Sequence, residues 1–177
     1  GLPVAVALAH RGQDVLGYDI DQKRMSYGPQ PYQEIGPDGR PFDEWLKKAE
    51  EGALSGSLRF AALDQVVAHA DIVFLAVQTP HDPRFEGTLP LRDAPVDFDY
   101  SYLAAAVQAV IDAKQDDRPL ALAVISTVLP GTMRRVVKPR LAKGVALVYN
   151  PYFIAMGTVM QDFLNPEFVL LGIDDPW

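Results

Sequence analysis

A glycine, a helix, a strand and an acidic residue open the chain in an order suited to dinucleotide binding. Gly1 precedes small and apolar residues that predict a helix, and Gly12 stands where a helix C-terminus favours glycine. Residues 15–18 predict a short buried strand, which Asp19 ends. In a dinucleotide-binding βαβ unit, the last glycine of G-x-G-x-x-G allows close helix–strand packing, and an acid about 20 residues later binds the ribose hydroxyls. The pattern therefore favours a nucleotide site with Asp19 as ribose ligand.

This pattern begins at its last glycine. If Gly1 is that residue, the first strand and the two phosphate-facing glycines are missing, and NAD binding is expected to be weak because about half the pyrophosphate cradle is absent. The alternative is that Gly1 is a flexible terminus and the helix is ordinary core. Arg24 lies close enough in sequence to Asp19 to reach the same adenosine, and its alternative is a solvated surface charge.

Polar residues also follow two apolar runs further along the chain. Residues 72–77 and 120–125 predict buried strands, the first apolar on both faces as in a central parallel strand. Ligands of open α/β sheets bind at the carboxyl ends of the strands, so the residues after each run are candidate site residues. The candidates placed by this rule are Gln78, Thr79, Pro80 and His81 after the first run, and Ser126 and Thr127 after the second. Thr132 is a natural helix N-cap.

The remaining elements must position these strand ends. Strands and helices alternate along the chain, which predicts an α/β fold with a doubly wound parallel sheet and right-handed crossovers. Residues 27–41 and 81–97 are predicted as loops because of their proline and glycine content. Further helices are predicted over 43–53, 64–68, 99–113 and 133–141, and further strands over 58–60, 145–149 and 168–172.

Composition excludes several classes of function. The length of 177 residues suits one domain, and the net charge of −7 argues against a nucleic-acid partner. The absence of cysteine excludes disulfides, thiolate zinc sites and a cysteine nucleophile within this chain. No apolar run reaches the roughly 18 residues of a membrane span, and no signal-peptide pattern is present. A cytoplasmic protein without a membrane partner or a metal site is therefore expected.

Several segments, taken together and in order, resemble the N-terminal NAD-binding domain of the UDP-glucose/GDP-mannose dehydrogenase family. The resemblance covers nearly the whole chain. It is carried by GLPVAVALA, VLGYDID, FDEWLKKAEEGALSGSLRF, DIVFLAVQTP, VDFDYSYLAAAV, VISTVLPGT and NPYFIAMGTVMQDFLNPEFVLLG.

The resemblance implies that residues 1–177 form a Rossmann-like NAD-binding domain lacking its first strand, with the substrate domain outside this chain. It implies an enzyme that oxidises the C6 alcohol of a UDP- or GDP-sugar to the carboxylate with NAD. We expect the gene to continue upstream into a strand and G-x-G and downstream into a second α/β domain with a cysteine. The parent protein is expected to be a homo-oligomer, and this fragment alone is expected to be inactive.

The resemblance also implies roles for individual residues. The cofactor's diphosphate end and adenosine ribose would be held by Gly1, Asp19 and Arg24. The nicotinamide ribose would be lined by Val77, Gln78, Thr79, Pro80 and His81. Ser126 and Thr127 would lie near the nicotinamide, with the Thr127 hydroxyl able to orient a catalytic water.

Three positions depart from the family pattern. Tyr152 and Met156 stand where the family has glutamates, and Ile125 replaces a lysine. A tyrosine with an ordinary pKa near 10 is not a general base at neutral pH, so Tyr152 is either a hydrogen-bond donor in catalysis or a packed phenol. These replacements keep open a non-catalytic NAD-binding module. A β-hydroxyacid dehydrogenase is the other alternative, which the S-T-V-x-P-G-T loop and the N-P-Y-F segment disfavour.

Overall fold

The computed structural model describes residues 1–85, 90, 94 and 96–174, and these divide into two compact units. The first unit comprises Gly1–Ala70 and Tyr152–Val169, and the second comprises Asp71–Pro151 and residues from 170 onward. The helices are α1 (Leu2–His10), α2 (Phe42–Glu50), α3 (Leu63–His69), α4 (Ser101–Ala113) and α5 (Val159–Leu164). The strands are β1 (Asp14–Gly17), β2 (Ser57–Phe60), β3 (Ile72–Leu75), β4 (Leu120–Val124), β5 (Val145–Tyr149) and β6 (Gly172–Ile173).

The first unit is built around α1 and a two-stranded parallel sheet. β1 pairs with β2 from Asp14 opposite Ser57 to Gly17 opposite Phe60. Gly12 has a φ of +91°, the left-handed conformation that ends a helix most easily with glycine, so the predicted end of α1 is confirmed. Small residues let α1 bury itself closely within this unit. The core comprises Val6, Ala7, Ala9, Phe42, Trp45, Leu46, Leu58 and Met160.

The second unit contains a sheet in the order β3-β4-β5-β6. The first two pairings are parallel, and β5 pairs antiparallel with β6. All five residues of β4 are buried, which explains its continuous apolar sequence. β3 is instead an end strand of this sheet, and Ile72 is 52 % exposed, so the central position predicted for β3 does not hold within the unit.

The α/β class and the parallel pairing are confirmed, with two sheets among the described residues in place of the single predicted one. The strand predicted over 168–172 is limited to Gly172–Ile173. The helix predicted over 133–141 is a π-helical turn followed by a 3₁₀ turn, because Pro139 lacks the N–H that a regular helix needs. Thr132 makes no side-chain cap, and its buried hydroxyl has no hydrogen-bond partner in the described part of the chain.

The described residues include no helix that is long and apolar enough to cross a membrane.

A charged cluster at the start of the β1–β2 pair predicts acid sensitivity. The Asp14 carboxylate accepts hydrogen bonds from the Ser57 hydroxyl and from Arg59 Nη2 at 2.9 and 3.0 Å, and His69 Nε2 lies 3.4 Å away. The Ser57 bond, with Arg59, holds the pKa of Asp14 below its usual value of 3.8. A carboxylate with a depressed folded-state pKa stabilises the fold above its unfolded pKa and loses that contribution as the pH falls through its folded pKa.

Asp14→Asn is therefore expected to lower the urea midpoint of unfolding at about pH 6. The difference in midpoint between this variant and the unsubstituted chain is expected to shrink toward about pH 3. Urea unfolding followed by circular dichroism at both pH values tests this. Asp71→Asn is the control. The Asp71 side chain is 96 % exposed and lies 4.0 Å from Arg118, so the same change there removes only a long, solvated ion pair. A constant difference between Asp14→Asn and the parent chain across this range would contradict the prediction.

Candidate functional site

The Ser126 hydroxyl joins the carboxyl ends of β3 and β4. It accepts a hydrogen bond from the Val77 N–H at 3.0 Å and donates to the Val77 carbonyl at 2.7 Å. Ser126 is 8 % exposed. A hydroxyl has one donor and two acceptor positions, so its donor is committed to this bond. The predicted contact of Ser126 with a cofactor stays a prediction, while its role in fixing these two strand ends is visible.

A second hydrogen bond joins the same two strand-end segments. The Thr79 hydroxyl donates to the Thr127 carbonyl at 2.6 Å, and Thr127 itself is exposed. The segments after β3 and β4, each predicted from sequence to carry site residues, lie side by side because β3 pairs with β4. Their arrangement leaves the Thr127 side chain at the surface of this edge, where a ligand can reach it.

Pro80 and His81 continue this edge into an open cavity. The cavity has a volume of about 450 Å³. The Pro80 carbonyl accepts a hydrogen bond from the Asp99 N–H at 2.7 Å, and the His81 ring lies 6.0 Å from the Phe98 ring. Its lining residues are Pro80, His81, Asp82, Pro83, Val96, Asp97, Phe98 and Asp99. A hydrogen bond from Arg84 lowers the pKa of Asp82 to about 2, so this carboxylate is ionised at neutral pH.

In the first unit, Asp19 lies near the N-terminal end of α1. Its Oδ1 accepts the Asp21 N–H at 2.9 Å, which orients the carboxylate at the end of β1. The Gly1 nitrogen lies near enough to the Asp19 and Glu34 carboxylates for both to act on it electrostatically. A helix N-terminus favours anions because its first backbone N–H groups have no partners within the helix. The acid and the helix end needed for a nucleotide are therefore both in this unit.

Arg24 is directed toward a neighbouring carboxylate. Its Nε lies 3.5 Å from Asp21 Oδ2, and its side chain is 67 % exposed. This placement fits the alternative of a solvated surface charge, and its contact with a cofactor stays a prediction.

Two acidic residues hold the segment 153–160, which follows Tyr152. The Asp162 carboxylate accepts the Ala155 N–H at 2.9 Å and the Thr158 hydroxyl at 2.8 Å. Glu34, only 6 % exposed, accepts the Met160 N–H at 3.1 Å. Neither residue was predicted from the sequence. Glu34 is 126 positions from the Met160 amide that it binds, and no local sequence pattern connects two residues so far apart.

Tyr152 is a packed phenol in this structure. Its ring centroid lies 5.3 Å from that of Phe163, and its hydroxyl is buried without a hydrogen-bond partner in the described ranges. Burial raises the pKa of the Tyr152 phenol well above its usual 10. A group that holds its proton this strongly is not a general base near neutral pH. Met156, at the second departing position, is 86 % exposed.

Tyr152→Phe is expected to stabilise the chain by about 1 kcal/mol, because a buried hydroxyl without a partner costs free energy that phenylalanine does not. The measurement is the free energy of unfolding in urea. Tyr102→Phe serves as the matched control, since Tyr102 is 55 % exposed and the same change removes a hydroxyl at the protein surface. A destabilised Tyr152→Phe variant would mean that the hydroxyl has a bound partner in solution.

No group of three or more His, Asp or Glu side chains within the described ranges is arranged to hold a metal ion.

Comparisons with known proteins agree over the whole chain. The family model for the NAD-binding domain of the UDP-glucose/GDP-mannose dehydrogenase family matches residues 1–177. An uncharacterised protein of Methanocaldococcus jannaschii is 33% identical over 178 residues, which cover 99% of this chain and 18% of that protein. UDP-glucose 6-dehydrogenase of Haloferax volcanii is 28% identical over 183 residues, covering 97% of this chain and 38% of the relative.

A solved structure is also similar. A UDP-glucose dehydrogenase from the hyperthermophilic archaeon Pyrobaculum islandicum superposes with a TM-score of 0.77 at 29% identity, over 99% of this chain and 38% of that one. The chain thus spans less than two fifths of the length of these relatives.

Proposed function

Because this chain belongs to the UDP-glucose/GDP-mannose dehydrogenase family, we propose that it is the NAD-binding part of an enzyme that oxidises the C6 alcohol of a UDP- or GDP-sugar to the uronate. The observation that supports the proposal most is the hydrogen-bonded edge formed by the segments after β3 and β4. The Thr79 hydroxyl donates to the Thr127 carbonyl at 2.6 Å, and the exposed Thr127 side chain lies at this edge, where α/β sheets bind ligands.

The residues present suit NAD. Asp19 is an oriented carboxylate that can accept hydrogen bonds from the adenosine ribose hydroxyls and that repels a 2′-phosphate, favouring NAD over NADP. When bound, NAD supplies a hydride acceptor. Ser126 and Thr79 hold the two strand-end segments of the site. With NAD bound there, the Thr127 hydroxyl would be able to orient a water.

The general base of the proposed reaction must be another group than Tyr152. Burial raises the pKa of its phenol, so in this environment the residue holds its proton throughout the neutral range. We assign the base to a residue of the substrate domain that we propose for the parent protein. A strand and glycine-rich turn preceding Gly1, also proposed, would complete the pyrophosphate site.

A non-catalytic NAD-binding module is the second candidate. The buried phenol of Tyr152 and the exposed thioether of Met156, at the positions of the family glutamates, favour it. General acid–base groups contribute about 100- to 10,000-fold to rates, so losing them abolishes useful turnover unless other groups replace them.

Two measurements test the proposal. Calorimetric titration of the 177-residue chain with NAD and NADP is expected to show weak binding that favours NAD. Formation of NADH by the full-length gene product with a panel of UDP- and GDP-sugars is expected with at least one of them. NAD binding without turnover would support the non-catalytic module, and absence of NAD binding by the full-length protein would refute both candidates.

A further inference from the structure

The segment Asp97–Tyr100, which leads into α4, contacts both strand-end segments of the candidate site. At one end, its Asp99 N–H donates to the Pro80 carbonyl at 2.7 Å. Next to it, Phe98 packs 6.0 Å from the His81 ring. The segment after β3 is therefore held from outside by a backbone hydrogen bond and a ring contact, in addition to its bonds to Ser126 and Thr127.

Tyr100 makes the contact with the other segment. The Leu129 N–H donates to the Tyr100 hydroxyl at 3.1 Å, two residues after Thr127. Tyr100 is 9 % exposed, and its ring lies 6.2 Å from that of Phe98. A buried tyrosine ring has few alternative rotamers, so its hydroxyl stays in one position. The Tyr100 hydroxyl therefore restrains the Leu129 backbone at a lower cost in side-chain entropy than an exposed side chain would.

Asp97, at the other end of the same segment, makes a second contact with the chain that follows β4. Its Oδ1 accepts the Phe98 N–H at 2.9 Å, which orients the carboxylate within the segment Asp97–Tyr100. Arg135 Nη2 donates a charge-assisted hydrogen bond to Asp97 Oδ2 at 2.6 Å from within the turn Met133–Val137. Asp97 and Tyr100 therefore bind the chain after β4 at two points, the Arg135 side chain and the Leu129 amide.

We propose that Tyr100 is a positioning residue for the nicotinamide side of the cofactor site. By binding the Leu129 amide, it holds in place the segment after β4, which carries Thr127. The inference rests on the proposed function for its cofactor. Its structural part, the restraint of Leu129, does not depend on NAD. ADP lacks the nicotinamide ribose, so removing the Tyr100 hydroxyl should weaken the binding of NAD and leave the binding of ADP unchanged.

The test compares Tyr100→Phe with Tyr102→Phe in the 177-residue chain. Tyr102 lies on the same helix and is 55 % exposed, so it controls for loss of a phenol hydroxyl. Calorimetry gives the affinities for NAD and ADP, and amide exchange by NMR reports on Leu129. Tyr100→Phe is expected to weaken NAD binding by about three- to tenfold, the value of one hydrogen bond, with ADP affinity unchanged and faster exchange at Leu129.

Arg135→Gln provides a second variant that does not alter the buried ring. It is expected to shift NAD affinity and Leu129 exchange in the same direction by a smaller factor. The positioning role would be overturned if Tyr100→Phe bound NAD as tightly as Tyr102→Phe does. It would also be overturned if Tyr100→Phe lost NAD and ADP affinity by the same factor. If the full-length protein binds neither NAD nor ADP, the proposed function is refuted, whereas unchanged Leu129 exchange in Tyr100→Phe would independently refute the restraint.

Discussion

Asp19→Ala is expected to weaken NAD binding by about 10- to 100-fold. The Asp19 carboxylate stands at the end of β1 and is oriented by the Asp21 N–H at 2.9 Å. Each carboxylate oxygen accepts more than one hydrogen bond, so this contact leaves capacity for ribose hydroxyls. A hydrogen bond to a charged group is worth about 1.5–3 kcal/mol, which corresponds to the stated loss. The measurement is calorimetric titration with NAD and NADP in parallel.

Asp21→Ala is the matched control. Asp21 is acidic like the half-buried Asp19 but is exposed, lies two residues away, and keeps its backbone N–H in the variant. It is expected to bind NAD within about twofold of the parent chain, because the loss of one exposed ion pair matters little. Asp19→Ala should also narrow the preference for NAD over NADP, since it removes the repulsion of the 2′-phosphate. If the Asp19→Ala variant bound NAD as tightly as the unsubstituted chain does, Asp19 would not be a ligand of NAD.

Gly56→Ala is expected to destabilise the chain by about 3 kcal/mol, the upper part of the range for overpacking. A Cβ at this position would lie 2.1 Å from the Gln13 carbonyl oxygen and 2.6 Å from the Gly12 carbonyl carbon. Both are backbone atoms. The Gly56 N–H donates to the Ala9 carbonyl at 2.8 Å, so separating the chains to admit a methyl group also stretches this bond. Urea unfolding followed by circular dichroism measures the loss.

Gly28→Ala makes the same chemical change where space allows it. The nearest atom to its Cβ would be Ser26 Oγ at 3.7 Å, an ordinary contact. This variant is expected to be neutral or more stable by about 0.5 kcal/mol, because alanine restricts the unfolded chain. If Gly56→Ala were as stable as Gly28→Ala, the close approach of residues 12–13 to Gly56 would not exist in solution.

The sequence by itself determined the class of the fold and the elements with strong local signals. β1 to β5 follow from apolar runs, and α1 ends at Gly12 because a left-handed residue is needed there. The choice of Thr79 and Ser126 as strand-end residues follows from the same apolar runs, whereas the pairing of β3 with β4 that makes them neighbours is seen only in the structure. These features depend on short stretches of chain, so local periodicity is enough to predict them.

Tertiary structure alone decided how the site is held. The bond from Tyr100 to Leu129 joins residues 29 positions apart, and the bond from Glu34 to Met160 joins residues 126 apart. No periodicity encodes such pairings, because each depends on where separate elements pack. Burial at Tyr152 is a further case: its residue type marks a departure from the family, but only its surroundings raise the pKa of the phenol and leave its hydroxyl without a partner in the described ranges.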